Sequence, residues 1–375
     1  MTHPIISYIR NQPTQKLNYA EYMTKALYDP IYGYYMKDKD KVGKSGDFFT
    51  TSNVHPIFAK VFCSIFHEII IKNNLPFIIC EIGGGTGRFS YDLLIEWQSQ
   101  FPESFDKLSY YLIEESPFHQ KKQKALLSIF PNVHFYRSID QMNLHPFEGI
   151  IFSNELIDAF PVHVVEKQDN ILYEIFVSIN EFEKLHEIKE PLQNNAVKTW
   201  LQTYGPPLKN HQRIEVPLAM EKWIQQVSQF IKRGAIFTID YGYWNEEWQQ
   251  PEHREGSLRG YYQHQMVDNP LLYPCEMDLT THIHLDPFIY IGNEYGLKTQ
   301  LVTSQDRFLL AAGILKYLQE NYDPNPFSEI SKQNRAIRSL ITSGMSMGFQ
   351  VIFQTKSLTQ IQSLSFIKPE KEADS

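Results

Sequence analysis

Along the first part of the chain apolar residues recur at helical spacing, whereas in the middle they gather into short unbroken runs, and the two patterns predict different layers. Asn18 stands three residues ahead of Glu21, a pairing that caps a helix start; Tyr22, Ala26 and Leu27 follow as its buried stripe before Asp29-Pro30 ends it. After His55-Pro56, the positions Ile57, Phe58, Val61, Phe62, Ile65, Phe66, Ile69 and Ile70 keep the i, i+3, i+4 rhythm of a longer helix. That stripe reads as core and is assigned no chemistry.

From Pro76 the rhythm changes. Runs at 77–82, 110–114, 133–136 and 149–153 are apolar on both faces, as strands inside a parallel sheet are, with helical segments at about 89–97 and 120–129 between them. From 167 to about 211 the alternation stops, and 171–177 with 182–186 read as a hairpin. A helix at 217–232 and a strand at 235–240 resume the pattern, followed by a long polar, aromatic loop through His264. The expected fold is α/β: a Rossmann-like, mostly parallel seven-stranded sheet with an N-terminal helical segment and an inserted lid or substrate lobe. The expected divisions are 1–75 for the N-terminal segment, 76–166 for the cofactor-binding half and 167–211 for the inserted lobe, then 212–367 for the remaining half with its long loop and 368–375 for a tail.

Composition narrows the function. A net charge of −8, with Lys and Arg scattered along the chain, argues against a general nucleic-acid binder and suits a cationic partner. No apolar run approaches the ~20 residues of a membrane span. Cys63, Cys80 and Cys275 are far apart and form no CxxC pair, so neither a disulfide framework nor a zinc site is expected. With no presequence pattern at the N-terminus, the chain reads as unprocessed and cytoplasmic.

The chemistry concentrates at Glu81-Ile-Gly-Gly-Gly-Thr-Gly87, where a buried strand ends and a helix begins. Glycines let backbone approach a ligand, and the helix start favours negative charge. Counting from Gly83, a dinucleotide fingerprint needs glycine where Arg88 stands, so the turn suits S-adenosylmethionine rather than NAD. Gly83, Gly85 and Gly87 are the candidate backbone contacts, and Glu81 leads the motif. Glu114, at the end of the next strand, is the candidate for ribose hydroxyls; Glu115 is the alternative, on the opposite face. A fourth strand ends at Asn154, Glu155 and Asp158, polar groups suited to orienting a nucleophile, although a carboxylate there also suits a helix cap. His264, His282 and His284 fit no metal-ligand spacing, and no metal is expected. Tyr261, Tyr262, Trp244 and Trp248 suit either the wall of a substrate channel or a cover over a sheet edge.

Several ordered blocks then carry a resemblance: 26–35 (Ala-Leu-Tyr-Asp-Pro-Ile-Tyr-Gly-Tyr-Tyr), 46–50 (Gly-Asp-Phe-Phe-Thr), 81–88, 154–162, 239–242 (Ile-Asp-Tyr-Gly), 256–265 (Gly-Ser-Leu-Arg-Gly-Tyr-Tyr-Gln-His-Gln) and 278–283 (Asp-Leu-Thr-Thr-His-Ile). Over nearly its full length the chain resembles the MidA family of methyltransferases, whose mitochondrial members help assemble respiratory complex I by methylating an arginine. The resemblance implies S-adenosylmethionine as cofactor, a protein substrate, and a place beside the cofactor for Gly46 and Asp47. It also likens 154–160 to the acidic loop of symmetric-dimethylating arginine methyltransferases, with Glu155 gripping the guanidinium. The second glutamate of that loop has no clear counterpart: Glu166 is out of register, and Asp158 stands nearest. At Cys275 the family pattern leads one to expect glycine. Read from the residues alone, the same site would also serve a small-molecule acceptor, or a cofactor-binding assembly factor.

Overall fold

The computed structural model describes residues 3–39, 41, 55–142, 146–320, 325–342 and 348–367. In chain order its strands are β1 (Lys16–Asn18), β2 (Ile78–Ile82), β3 (Ser109–Ile113), β4 (Val133–Tyr136), β5 (Phe147–Asn154), β6 (His163–Gln168), β7 (Ile171–Ile179) and β8 (Leu185–Pro191). Then come β9 (Gln212–Val216), β10 (Ile231–Tyr243), β11 (Arg259–Tyr262), β12 (Gln265–Val267), β13 (Asp278–Thr280), β14 (Ile283–His284), β15 (Lys298–Ser304) and β16 (Phe349–Lys356). Two compact units result, each drawn from three stretches of chain: 1–48, 156–226 and 241–294 in the first, 49–155, 227–240 and 295–375 in the second.

The second unit holds the sheet β15-β16-β10-β5-β2-β3-β4. From β10 to β4 every neighbour is parallel, and β15 runs antiparallel to β16. This path has the expected seven strands. An eighth, the two-residue β14, pairs with Gly242 and Tyr243, the end of β10 that belongs to the first unit. The apolar stripe after Pro56 forms the helix Ile57–Asn73, closed by Asn74 in the left-handed conformation. Its Phe62 lies 5.2 Å from Phe152 and 5.7 Å from Phe237, ring centroid to ring centroid, so the helix seats on β5 and β10 as a purely apolar layer.

The first unit is antiparallel. Its larger sheet runs β1-β7-β6-β9, with β8 also on β7, and β12-β11-β13 form a smaller one. The capping box at Asn18 and Glu21 is formed in full, and the helix Tyr19–Tyr28 buries Tyr22, Met23, Ala26 and Leu27 against Val162, Val164, Ile175 and Val177. The hairpin is present, with its second arm later than expected. Asn180 Oδ1 accepts from the N–H groups of Phe182 and Lys184, both at 3.0 Å, and this local turn occupies 180–184 before β8 begins.

Candidate active site

Ile82 pairs with Ile113 across β2 and β3, so the next residues, Gly83 and Glu114, leave the sheet side by side at its carboxyl edge. Gly83, Gly85 and Gly87 have φ of 75°, 51° and 81°, a region side chains disfavour, and the helix Arg88–Gln100 starts immediately behind them. Two side chains hold the turn. The Gly85 N–H donates to Glu114 Oε2 at 3.0 Å, and the Gly85 carbonyl accepts from Gln123 Nε2 at 2.9 Å. The other Glu114 oxygen accepts from the Ser116 N–H at 2.9 Å. Glu115 is exposed.

The glycines differ in what surrounds them. A Cβ on Gly87 would lie 3.1 Å from Gln123 Cγ, and one on Gly84 would lie 3.3 Å from Gln123 Nε2. A Cβ on Gly85 would meet no atom of the described residues within 4 Å. Gly84 and Gly87 therefore make room for Gln123, whereas Gly85 borders open space of the kind a ligand fills. Gln123 escaped the sequence reading. Its signal was a helix, Pro117–Leu126, whose buried residues are polar: His119 and Gln123, four apart on one face. Replacing Gln123 by Leu keeps most of the volume but removes the donor to the Gly85 carbonyl. We expect S-adenosylmethionine binding to weaken by about 10-fold in calorimetry, the worth of one buried hydrogen bond. Unchanged affinity would show that the turn holds its shape unaided.

Glu81 lies behind the turn. Its Oε2 accepts from Ser90 Oγ, on the helix, and from Tyr110 OH at 2.7 Å, on β3, and burial pushes its pKa up to about 7. Glu81 thus ties strand, neighbouring strand and helix together at the root of the glycine turn.

On the other side of β2, Glu81 pairs with Phe152, so Asn154 reaches the carboxyl edge level with Gly83. Asn154 Nδ2 donates to Glu155 Oε1 at 2.9 Å, and Asn154 Oδ1 is buried with no hydrogen-bond partner among the described residues. Glu155 has φ 51°, costly for a residue with a side chain, and its N–H donates to the Ile239 carbonyl at 2.9 Å. One sheet edge therefore brings together Glu81, Gly83, Gly85, Gly87, Glu114, Asn154 and Glu155. Asp158 belongs to the first unit, where it is buried and its carbonyl accepts from the Thr281 N–H at 2.8 Å. Gly46 and Asp47 lie outside the described residues.

Other candidates are engaged in the first unit's own packing. Glu166 forms ion pairs with Lys189 and Arg213. His284 Nε2 donates to the Glu215 carbonyl at 2.8 Å and the ring stacks on the fully buried Trp248 at 4.5 Å; burial lowers its pKa to about 3. Tyr262 stacks on Tyr273 at 4.4 Å.

The sheet edge fits S-adenosylmethionine on three counts: open space at Gly85, a carboxylate at Glu114 for hydroxyls, and an unanswered acceptor at Asn154 for an ammonium. Comparison with known proteins agrees. A family model described as "Putative S-adenosyl-L-methionine-dependent methyltransferase" matches residues 57–303. A Burkholderia thailandensis crystal structure bound to S-adenosyl-homocysteine aligns with a TM-score of 0.86 at 25% identity, covering 97% of this chain and 94% of that one. The Drosophila melanogaster protein arginine methyltransferase NDUFAF7 homolog, mitochondrial, is 25% identical over 305 residues, 74% of this chain and 67% of its own length. The protein arginine methyltransferase NDUFAF7, mitochondrial, of Danio rerio is 27% identical over 299 residues, 72% of this chain and 67% of its own.

These relatives overturn the expectation of a cytoplasmic protein, since they are mitochondrial by name. The three cysteines are free and buried. With the family model matched over most of its length and the glycine turn built as that cofactor requires, the chain belongs to this family of S-adenosylmethionine-dependent methyltransferases, the MidA family its motifs resemble.

Proposed function

We propose that the methyl acceptor is an arginine on a protein partner, with Glu155 as the catalytic carboxylate. The observation that carries this reading is Glu155 itself, kept in a strained conformation at the carboxyl end of β5 and hydrogen-bonded by Asn154. The names of the relatives support it. A guanidinium has a pKa above ~12 and arrives as a delocalised cation, a poor nucleophile. By accepting hydrogen bonds from one terminal nitrogen, Glu155 draws positive charge there and leaves the other nitrogen freer to attack.

S-adenosylmethionine supplies an electrophilic methyl carbon on a positively charged sulfur. The attacking nitrogen forms its bond to that carbon as the carbon–sulfur bond breaks, S-adenosylhomocysteine leaves, and the nitrogen gives up a proton. In this reading Gly83, Gly85 and Gly87 offer backbone to the cofactor, Glu114 takes ribose hydroxyls, and Asn154 Oδ1 takes the ammonium. Glu81 braces the turn from behind. Gly46 and Asp47 are added as cofactor contacts on the family resemblance, and Asp158 as a second acid on its nearness to Glu155 in sequence. The segment 167–211 is proposed as the substrate lobe.

Incubating the protein with methyl-labelled cofactor and host lysate, then identifying labelled species by mass spectrometry, tests the assignment. The expected product is methylarginine in a protein. Label confined to small molecules, or to lysine and carboxyl groups, would exclude the arginine acceptor while leaving methyl transfer in place.

A further inference from the structure

Arg213, Arg233 and Arg259 are the half-buried arginines among the described residues. Two of them are neutralised: Arg213 by Glu187 at 2.7 Å and Arg233 by Glu148 at 2.9 Å. Arg259 makes no ion pair among the described residues. Its Nη2 lies 3.1 Å from both ring nitrogens of His282, its Nη1 lies 4.0 Å from the Met266 sulfur, and its Nε is buried without a partner. The Tyr261 ring lies 6.0 Å from its Cζ. A guanidinium has five N–H donors, and here a single imidazole and a thioether answer them.

His282 does not supply the missing charge. Burial, reinforced by Arg259, holds its pKa well below the ordinary 6.5, so the ring is neutral, and it stacks flat on Tyr243 at 4.2 Å. The surroundings are rigid. Arg259 pairs with Thr280 across β11 and β13, the next residue, Thr281, donates to the Asp158 carbonyl, and the His282 N–H donates to Ser257 Oγ at 2.9 Å. Ser257 in turn donates to the buried Glu215 at 3.1 Å. A braced, partly desolvated cation without a counter-ion is costly to maintain, and an incoming anion relieves that cost.

We infer that Arg259, steadied by His282, is a receptor for a carboxylate. A carboxylate is favoured over a phosphate because one guanidinium matches a monoanion in a two-pronged pair, and Tyr243 beside it also feels the charges of Glu247 and Glu252, which oppose a dianion.

Calorimetric titration of the full chain with propionate, a monoanion, and separately with inorganic phosphate, tests the receptor. Propionate should bind the wild type, bind Arg259→Gln at least ~10-fold more weakly, and recover in part with Arg259→Lys, with S-adenosylmethionine affinity the same in all three. Absence of propionate binding to the wild type, or equal binding to Arg259→Gln, overturns the receptor. Phosphate binding in place of propionate overturns the carboxylate assignment.

Discussion

Glu155→Gln should lower the methyl-transfer rate by roughly 10²-fold or more while leaving S-adenosylmethionine affinity nearly unchanged, the loss seen when one charge-stabilising group is removed from a transition state. Glutamine retains the length of the side chain and an amide oxygen able to accept from Asn154 Nδ2, the 2.9 Å contact that orients the carboxylate. The charge and one of the two acceptor oxygens are lost. The left-handed backbone at Glu155 is unchanged by the substitution, so a fold defect is not expected. Turnover from methyl-labelled cofactor, measured beside calorimetry of the cofactor alone, separates the outcomes. Equal loss of cofactor binding would move Glu155 into the cofactor pocket, and unchanged turnover would end its catalytic assignment.

Gly85→Val should abolish detectable cofactor binding. At φ 51° a β-branched residue is strained by roughly 1–2 kcal/mol, and its methyl groups would project into the space that holds no atom of the described residues within 4 Å of a Cβ. Backbone strain here also disturbs the Gly85 N–H bond to Glu114, the proposed ribose carboxylate. Gly87→Ala provides the contrast: its Cβ would press on Gln123 at 3.1 Å instead of entering open space, so it should lower the melting temperature more than it weakens binding per folded molecule. Thermal shift and calorimetry on both variants check this. Binding by Gly85→Val close to that of the wild type would remove the glycine turn from the cofactor site.

The parallel sheet was legible because both-face apolar runs leave few other solutions: β4 falls at its expected residues, 133–136, and β2, β3 and β5 lie within a few residues of theirs. The glycine turn and Glu114 were legible for the same reason, as strand ends in a sheet of known polarity. Gln123 was not, because its partner is a backbone carbonyl far away in sequence, and an isolated glutamine carries no pattern. β6 and β9 were also missed, since their pairing joins 163–167 to 212–216 and neither segment is distinctive alone. Cys275 shows what a family pattern adds. It has φ 63°, which explains why glycine is the expected residue there, and the thiol is buried, which pushes its pKa up to about 12 and leaves it protonated and unreactive.

The discontinuity of the first unit bears on how the protein is made. β1 finds its partner only when Phe176 to Ser178 of β7 have been synthesised, and the smaller sheet waits for Asp278. Pairings between such distant segments raise contact order and slow folding, so β1 emerges as an unpaired strand that can recruit a foreign one. Truncated chains ending between β5 and β7 would hold the start of the unit without its sheet, and nascent protein at that length is where a holding chaperone would have the greatest effect.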